Sequence, residues 1–486
     1  MDISNYRPIT LLNSDYKILT KALAIQLMDD IGSMVHPNQA SFIPKRSIFN
    51  QIRLVKMILS YAEVTEEKGA IIALDQEKAY NKIRHNYLWA TLDKFNIPPT
   101  FSKTVKALYQ HAYMRVAING ILSSPYQVTC GIQQGDPLSC ALFDLAIEPL
   151  ACELQNNPEI NGIRIPGTKE KIITSLFADD MNLFLNQNDR MDIVQGILDK
   201  WCQASRAKFN LEKTEIIPFG TIEHRNQLAT TRKINPRDRI SLDERIKITK
   251  DGEAIHILGA RVGNNSNEET PWEPIIDKAQ QTLNAWGKFH PTLHERKLII
   301  QITIGGLTQF LTKAQGMPKR IEDALMKMTQ DFIWHDTTHP EIAAKTLYCP
   351  IENGGLNLLN ISVRNEAIEI MWLKTYLEAP SKRPTWAKLT DIIIDVAAPK
   401  NTNPQARTNT FLQTWNLSIR GKRGKALNND IQRMIRIAKK YNLSLIAIRL
   451  APHLSRFQGT VARSELSKSS KSSFARSRDV CWSMLT

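Results

Sequence analysis

The spacing of apolar residues changes character several times along the chain. Ile18, Leu19, Ala22, Leu23, Ile25 and Leu27 follow the start signal Asn13-Ser14-Asp15, so residues 1–30 are predicted to form a helix with that stripe inward. A loop bearing Pro and Arg follows (HPNQASFIPKRSI, 36–48), then a second predicted helix from about Asn50 to Thr65. GAIIALDQ (69–76) is a short apolar run after Gly69, long enough for one buried strand and too short for a helix. Residues 85–112 return to a helical pattern, broken at Pro98-Pro99. YMRVAINGILSSPYQVTC (113–130) alternates around Asn119-Gly120, the dipeptide best suited to a two-residue hairpin turn.

A predicted helix from Ser139 to Leu154 has a long apolar face, and KIITSLFADDMNLFLN (171–186) reads as two short strands around a pair of acids. A helix at 189–207 and a strand at 214–219 (TEIIPF) close this part. The order strand, helix, two strands, helix, strand points to the α+β class, with helices on one side of a sheet. Beyond 220 the pattern shifts. Residues 221–253 are polar and read as an exposed insertion, and HILGARVG (256–263) reads as one further strand. Helices dominate from 274: Ile275, Ile276, Ala279, Leu283 and Trp286 share a face, 295–315 is another apolar helix, 349–359 a break, and 361–377 a helix containing Trp372. Residues 420–440 are rich in Arg and Lys, and half of the residues from Ser464 to Ser477 are serine, the composition of a disordered tail.

Composition narrows the function classes. The 486 residues suffice for several domains, and 42% hydrophobic with 23% charged residues is ordinary globular material. The net charge of +15 implies partners with phosphate backbones or anionic lipid. No window approaches the roughly 20 apolar residues of a membrane span. The N-terminus lacks the basic flank and apolar stretch of a secretory signal. Six scattered cysteines without a CxxC pair argue against a disulfide scaffold or zinc ribbon and fit a reducing compartment. His335 and His339 stand four apart, but HDTTHP lacks the glutamate of a zinc motif and reads as a solvated loop.

The acids carry the candidate chemistry. Asp75 ends a predicted buried strand, and Asp179-Asp180 sit at the turn of a predicted hairpin whose flanks, SLF and MNLFL, are apolar. Such acids converging on one sheet edge repel one another unless cations fill the site, and hard divalent ions with oxygen ligands do this. Two ions about 3.5–4 Å apart can activate a hydroxyl for in-line displacement at phosphorus. Upstream, GIQQGDPLS (131–139) has glycines that let backbone approach a ligand closely, and amides at a helix start that could face an anion.

LDQEKAY, GIQQGDPLS, SLFADDMNLFL and FNLEKTEIIPFG, in that order, resemble the palm motifs of reverse transcriptases, those of the non-LTR (LINE-type) retrotransposon group above all. NYRPITLLNSDYKILTKALA (5–24) and QASFIPKRSI (39–48) resemble its fingers motifs, ILGARVG (257–263) its primer-grip strand, and 354–377 the region beyond the thumb in fungal-type elements. The resemblance implies a right-hand polymerase: fingers and an antiparallel palm sheet at 1–265, a helical thumb at 266–345, a basic helical extension at 346–455 and a disordered tail at 456–486. It implies that Asp75, Asp179 and Asp180 are catalytic and bind two Mg²⁺ ions, with Mn²⁺ as a substitute. Tyr80 would screen out the ribose 2′-hydroxyl, Gln134 and Gly135 would contact the nucleotide, and Arg46 and Lys213 would serve the triphosphate and pyrophosphate. Leu258 and Gly259 would grip the primer. The implied reaction is RNA-directed DNA synthesis from dNTP on an RNA template with a DNA primer, away from membranes and, by family analogy, in the nucleus.

Departures from the motifs set a rival expectation. Asn81 stands where aspartate is usual, Ser41 and Lys45 where glycines are usual, Gln133 replaces a common arginine and Cys140 a common proline. Non-glycine residues resist positive φ, so the two lost glycines are expected to misplace the fingers loop. The chain begins a few residues before a core motif, and its Ser/Lys/Arg-rich end carries no Cys/His knuckle. Both features lead to the expectation of a truncated element copy with a frame-shifted tail. The alternative function is a catalytically inactive remnant that only binds nucleic acid. Tyr80 speaks against a viral RNA-dependent RNA polymerase, which must admit ribose.

Overall fold

The computed structural model describes residues 10–110, 112–168, 170–334, 342–379, 382–398 and 427–441. His335, His339, residues 420–426 of the basic stretch and the 456–486 tail lie outside the described residues. The chain forms two compact units. The first holds the described residues up to Gln51 together with Glu66–Lys250, and the second holds Ile52–Thr65 and the described residues from Asp251 onward.

The first unit begins with helix α1 (Ser14–Met34). The inward face is not the stripe expected from the sequence. Leu23, Ala24, Leu27 and Ile31 are buried, whereas Ile18 and Ile25 are 70% and 56% exposed. At 3.6 residues per turn only one of the two apolar stripes can face the core. Helix α2 (Ile48–Thr65), which belongs to the second unit from Ile52 on, starts at an N-cap, where Ser47 accepts the Phe49 amide. Strand β1 (Gly69–Gln76) is followed by the short α3 (Ala79–Lys82), α4 (His85–Lys94) and α5 (Pro99–Gln110), the last two separated at Pro98-Pro99 as expected. The Asn119-Gly120 hairpin forms as two nested pairs, β2 (Tyr113–Met114) with β5 (Tyr126–Gln127), and β3 (Ala117–Ile118) with β4 (Ile121–Leu122). Helix α6 (Ser139–Asn156) is buried on nearly every side, which suits its apolar composition. The hairpin β6/β7 (Ile163–Arg164, Lys171–Ile172) leads to β8 (Thr174–Phe177) and β9 (Asp180–Asn186), then α7 (Met191–Ser205) and β10 (Phe209–Phe219).

Residues 221–253 are not an exposed insertion. They form α8 (Ile222–Thr231) and β11 (Lys247–Ile248), and Leu228, Ile234, Leu242 and Ile246 join the main core. The apolar residues here are too sparse to show a period. The loop is held instead by Arg232, which donates to the carbonyls of Leu242, Asp243 and Ile246. The five strands of the main sheet run in the order β11-β10-β1-β9-β8, antiparallel except for β10 with β11. One sheet face packs on α4, α6 and α7 in a core that includes Ile72, Leu74, Leu88, Leu142, Leu183 and Trp201. Polar groups inside it are paired: the Tyr87 hydroxyl donates to the Ala146 carbonyl (2.9 Å), and the Trp201 Nε1–H donates to that hydroxyl (3.0 Å). The fold is thus α+β, as the element order predicted.

In the second unit, HILGARVG is a hairpin rather than a single strand: β12 (Ile255–Ile257) and β13 (Ala260–Val262) turn at Leu258-Gly259. Helix α9 (Glu273–Gly287) buries Ala279 and Leu283, while Trp286 is 49% exposed and stands outside the expected stripe. The apolar run 295–315 is α10 (Leu293–Ile300), a π-helical turn at Gln301–Gly305 and α11 (Gly306–Gln315). Then come α12 (Lys319–Trp334), α13 (Ala344–Tyr348), α14 (Ile361–Tyr376), α15 (Thr385–Ala397) and α16 (Asn429–Lys440). No helix among the described residues is long and apolar enough to cross a membrane.

Candidate active site

The register of two central strands decides where the acids stand. Strand β1 runs antiparallel to β9 with Ala73 opposite Asn182 and Leu74 opposite Met181. One further step along the same register puts Asp75 opposite Asp180. Side chains alternate along a strand, and directly opposed residues share a face. Ile72, Leu74, Met181 and Leu183 face the helical core, so Asp75 and Asp180 are carried on the other face. In the β8–β9 hairpin Phe177 opposes Asp180, which leaves Ala178-Asp179 as a two-residue turn. Ala178 has φ +55°. It occupies the first central position, where a type II′ turn ordinarily takes glycine. Asp75 and Asp179 are half-buried and Asp180 is exposed.

The third strand of this edge also departs from regularity. Between β1 and β10 the pairing jumps from Ala73–Glu215 to Asp75–Asn210. Leu211–Thr214 stand opposite the single Leu74 and form a bulge beside the strand end that carries Asp75, and the exposed Lys213 rides on it. Bulges of this kind re-aim side chains at functional edges.

Tyr80 lies on α3, one short turn beyond Asp75. Its ring stacks on Phe143 of α6, with centroids 4.5 Å apart and planes at 14°. Burial, then the neighbouring Cys140, Asp144 and Asp179, push the Tyr80 hydroxyl above its usual range. Asp179 and Tyr80, far apart in sequence, therefore share one neighbourhood. The GIQQG loop is bonded to the same turn: the Gly131 amide donates to the Ile83 carbonyl (2.8 Å) and the Ile132 amide to the Tyr80 carbonyl (2.6 Å). A Cβ at Gly131 would lie 2.7 Å from the Asn81 carbonyl oxygen, so glycine is required by contact as well as by its φ of +86°. Gln134 is half-buried and Gly135 exposed, at the outer end of this loop. At the α6 start Asp136 accepts the Leu138 amide (3.0 Å) and the Ser139 hydroxyl (3.4 Å).

Arg46, expected at a triphosphate, is bonded to backbone carbonyls. Its Nη1 donates to the carbonyls of His36 (2.7 Å) and Gln39 (2.6 Å), and its Nη2 to those of Gly32 (2.9 Å) and Val35 (3.1 Å). The guanidinium fork, with its several fixed donors, is engaged in folding the 32–46 loop. Ser41 and Lys45, the positions where glycines are usual, differ in backbone conformation. Lys45 adopts φ +68°, the conformation a glycine would supply, and Ser41 has no positive φ. The Ser41 hydroxyl instead donates to Asp144 (3.0 Å), whose buried carboxyl is pushed up to about 8.

Leu258 and Gly259 belong to the second unit. Both have positive φ, +51° and +83°, the signature of a type I′ turn. A Cβ at Gly259 would meet the Phe310 ring at 2.8 Å. Among the described residues no group of three or more His, Cys, Asp or Glu side chains is gathered closely enough to hold a metal ion. The three acids are thus neighbours by backbone register. Their hard oxygen donors suit a divalent ion, and their mutual repulsion is what such an ion would offset. Sequence carried no signal for Phe143, the stacking partner of Tyr80, or for Gln39, whose side chain reaches the acid turn (3.1 Å to the Ala178 amide).

Comparison with known proteins adds an independent line. The profile of the reverse transcriptase (RNA-dependent DNA polymerase) family matches residues 2–261, which contain the five-stranded sheet and all three acids. A 149 kDa uncharacterized protein of transposon TX1 from Xenopus laevis is 27% identical over 80% of this chain and 28% of its own length. A Pol polyprotein of the type-1 retrotransposable element R2 from Popillia japonica is 27% identical over 38% of this chain and 26% of its own length. A probable RNA-directed DNA polymerase from transposon BS of Drosophila melanogaster is 25% identical over 45% of this chain and 24% of its own length. The chain therefore spans about a quarter of each of these relatives. The ordered sequence motifs, the paired acidic strand ends and the family match agree: the chain belongs to the reverse transcriptase family, in its non-LTR retrotransposon branch.

Proposed function

We propose that this chain is the polymerase core of a non-LTR retrotransposon, an RNA-directed DNA polymerase that extends a DNA primer on an RNA template with dNTPs. The observation that carries the reading is the β1–β9 register, which brings Asp75 and Asp180 to adjacent strand ends with Asp179 in the joining turn. In this reading the first unit supplies fingers and palm, the helices after residue 265 supply the thumb, and α16 belongs to a basic extension. Asp75, Asp179 and Asp180 would hold two Mg²⁺ ions, or Mn²⁺, which when bound activate the attacking hydroxyl and neutralise the leaving phosphate.

The remaining roles fall to the protein itself. The Tyr80 ring, pinned against Phe143, would occupy the space a ribose 2′-oxygen needs, so dNTPs would be preferred by built-in clash. Gln134 and Gly135 stand at the open end of a loop bonded to the Tyr80 turn, which supports a contact with the incoming nucleotide. Lys213, on the bulge beside Asp75, would place a cation near the pyrophosphate. The excess of 63 Lys and Arg over 48 Asp and Glu would hold the template–primer through its phosphates. Lys45 adopts the positive φ that a glycine there would supply, which supports a fingers loop of the shape an active enzyme needs.

Primer extension on a homopolymer RNA template tests the proposal. The wild-type chain is expected to extend the primer, and Asp179→Ala with Asp180→Ala to abolish extension while template–primer binding persists. Extension by the double variant near the wild-type level would refute it. Binding without extension by the wild type, with either Mg²⁺ or Mn²⁺, would favour the remnant.

A further inference from the structure

Gln39 is wholly buried, and its side-chain oxygen accepts two backbone amides, those of Ser41 and Ala178, each at 3.1 Å. The backbone around it extends the sheet edge. The Ala40 amide donates to the Leu176 carbonyl and the Leu176 amide to the Asn38 carbonyl, both at 2.9 Å, so residues 38–40 run parallel to β8. Arg46 clamps this segment from outside through the His36 and Gln39 carbonyls. The chain of contacts therefore runs from Arg46, through Gln39, to the residue immediately before Asp179.

Ala178 needs such support for two reasons. A left-handed backbone is unfavourable for any residue with a Cβ, and conformations of that kind persist where the surroundings over-determine them. Its amide is also buried, at the first central position of the hairpin turn, where the β8–β9 ladder offers it no partner. Gln39 supplies that partner. The Gln39 Nε2 has no hydrogen-bond partner, so the side chain is used only as an acceptor.

We infer that Gln39 is a positioning residue for the acid turn: by accepting the Ala178 amide it holds the left-handed Ala178 that sets where Asp179 stands. That the turn serves catalysis rests on the polymerase reading; that Gln39 holds the turn does not.

The experiment compares the full chain with Gln39→Met, which keeps the length and removes the acceptor, and Gln39→Glu, which keeps the acceptor. Amide hydrogen exchange at Ala178 and steady-state incorporation of dTTP on poly(rA)·oligo(dT) are measured on each. Gln39→Met is expected to speed exchange at Ala178 by about 10-fold or more while β9 amides stay protected. It should lower kcat by about 10- to 100-fold, the scale of a small misplacement of a reacting group, with KM for dTTP within about three-fold of wild type. Gln39→Glu should restore both readouts most of the way. Unchanged Ala178 exchange in Gln39→Met would overturn the inference. So would equal losses of kcat in Gln39→Met and Gln39→Glu that track a fall in Tm, because a merely structural site would not tell the two apart. A wild-type chain that extends no primer would count against the polymerase reading alone, and the exchange result would then decide on Gln39.

Discussion

Removing one carboxylate at the start of α16 should destabilise the second unit by several kcal/mol. Asp430 is 3% exposed. Lys56 Nζ lies 2.6 Å from its Oδ2, Arg53 Nη2 3.9 Å from its Oδ1, and Arg433 one turn later donates to Oδ1. Arg433 also meets Glu369 (3.1 Å) and Glu268 (3.7 Å). Three cations thus face three carboxylates in a site buried except at Glu268, and the Arg53 guanidinium lies over Trp372, 3.9 Å from the ring centroid. Asp430→Ala leaves a surplus positive charge there. A unit-charge pair at about 4 Å is worth roughly 4 kcal/mol at the effective dielectric of such sites, and losing one partner of a buried pair costs about 3–5 kcal/mol. We expect a loss of that size in urea unfolding followed by tryptophan fluorescence, since Trp372 and Trp386 report on the site. The pH dependence has a definite sign. Burial raises the Asp430 carboxyl, but Lys56, Arg53 and Arg433 outweigh it and hold the group below its ordinary value. Its contribution is therefore complete above the unfolded carboxyl pKa of about 4 and is lost as pH falls through the lower folded value. Asp430→Asn should lose that acid-side slope. A loss below about 1 kcal/mol in Asp430→Ala, the level of an exposed pair, would refute the argument, as would an unchanged acid slope in Asp430→Asn.

Two further outcomes follow from single residues. Lys45→Gly should raise stability by about 0.5–1 kcal/mol, because the left-handed backbone costs a Cβ-bearing residue about 1–2 kcal/mol and glycine's greater unfolded freedom returns part of it; denaturant titration measures this, and a destabilised variant would contradict it. Tyr80→Val should raise incorporation of rNTP relative to dNTP by about 10- to 100-fold, the range available to a pocket that gains room for one small group; an unchanged ratio in competition assays would remove Tyr80 from sugar selection.

The elements of the first unit were largely legible in sequence because their signals are local. GAIIALDQ forms the strand expected of it, Pro98-Pro99 separates two helices, and Asn119-Gly120 turns a hairpin. Where apolar residues were sparse or ambiguous the reading failed. Residues 221–253 hold core residues spaced too widely to show a period, and α1 carries two apolar stripes of which one is exposed. At the site, the acidic residues and Tyr80 stood out by type and spacing, whereas Gln39 and Phe143 act through contacts that no local pattern encodes.

Residue identity and local period were thus enough to say that this chain has an α+β sheet bearing an acidic hairpin turn, because strand alternation, turn preference and carboxylate chemistry operate over a few residues. Only the tertiary structure decided that Asp75 and Asp180 are carried on one face of neighbouring strands, that Arg46 spends its donors on four backbone carbonyls, and that Gln39 reaches the amide before Asp179. Those are matters of pairing register and of which buried donor meets which acceptor, and they are settled when distant segments pack together.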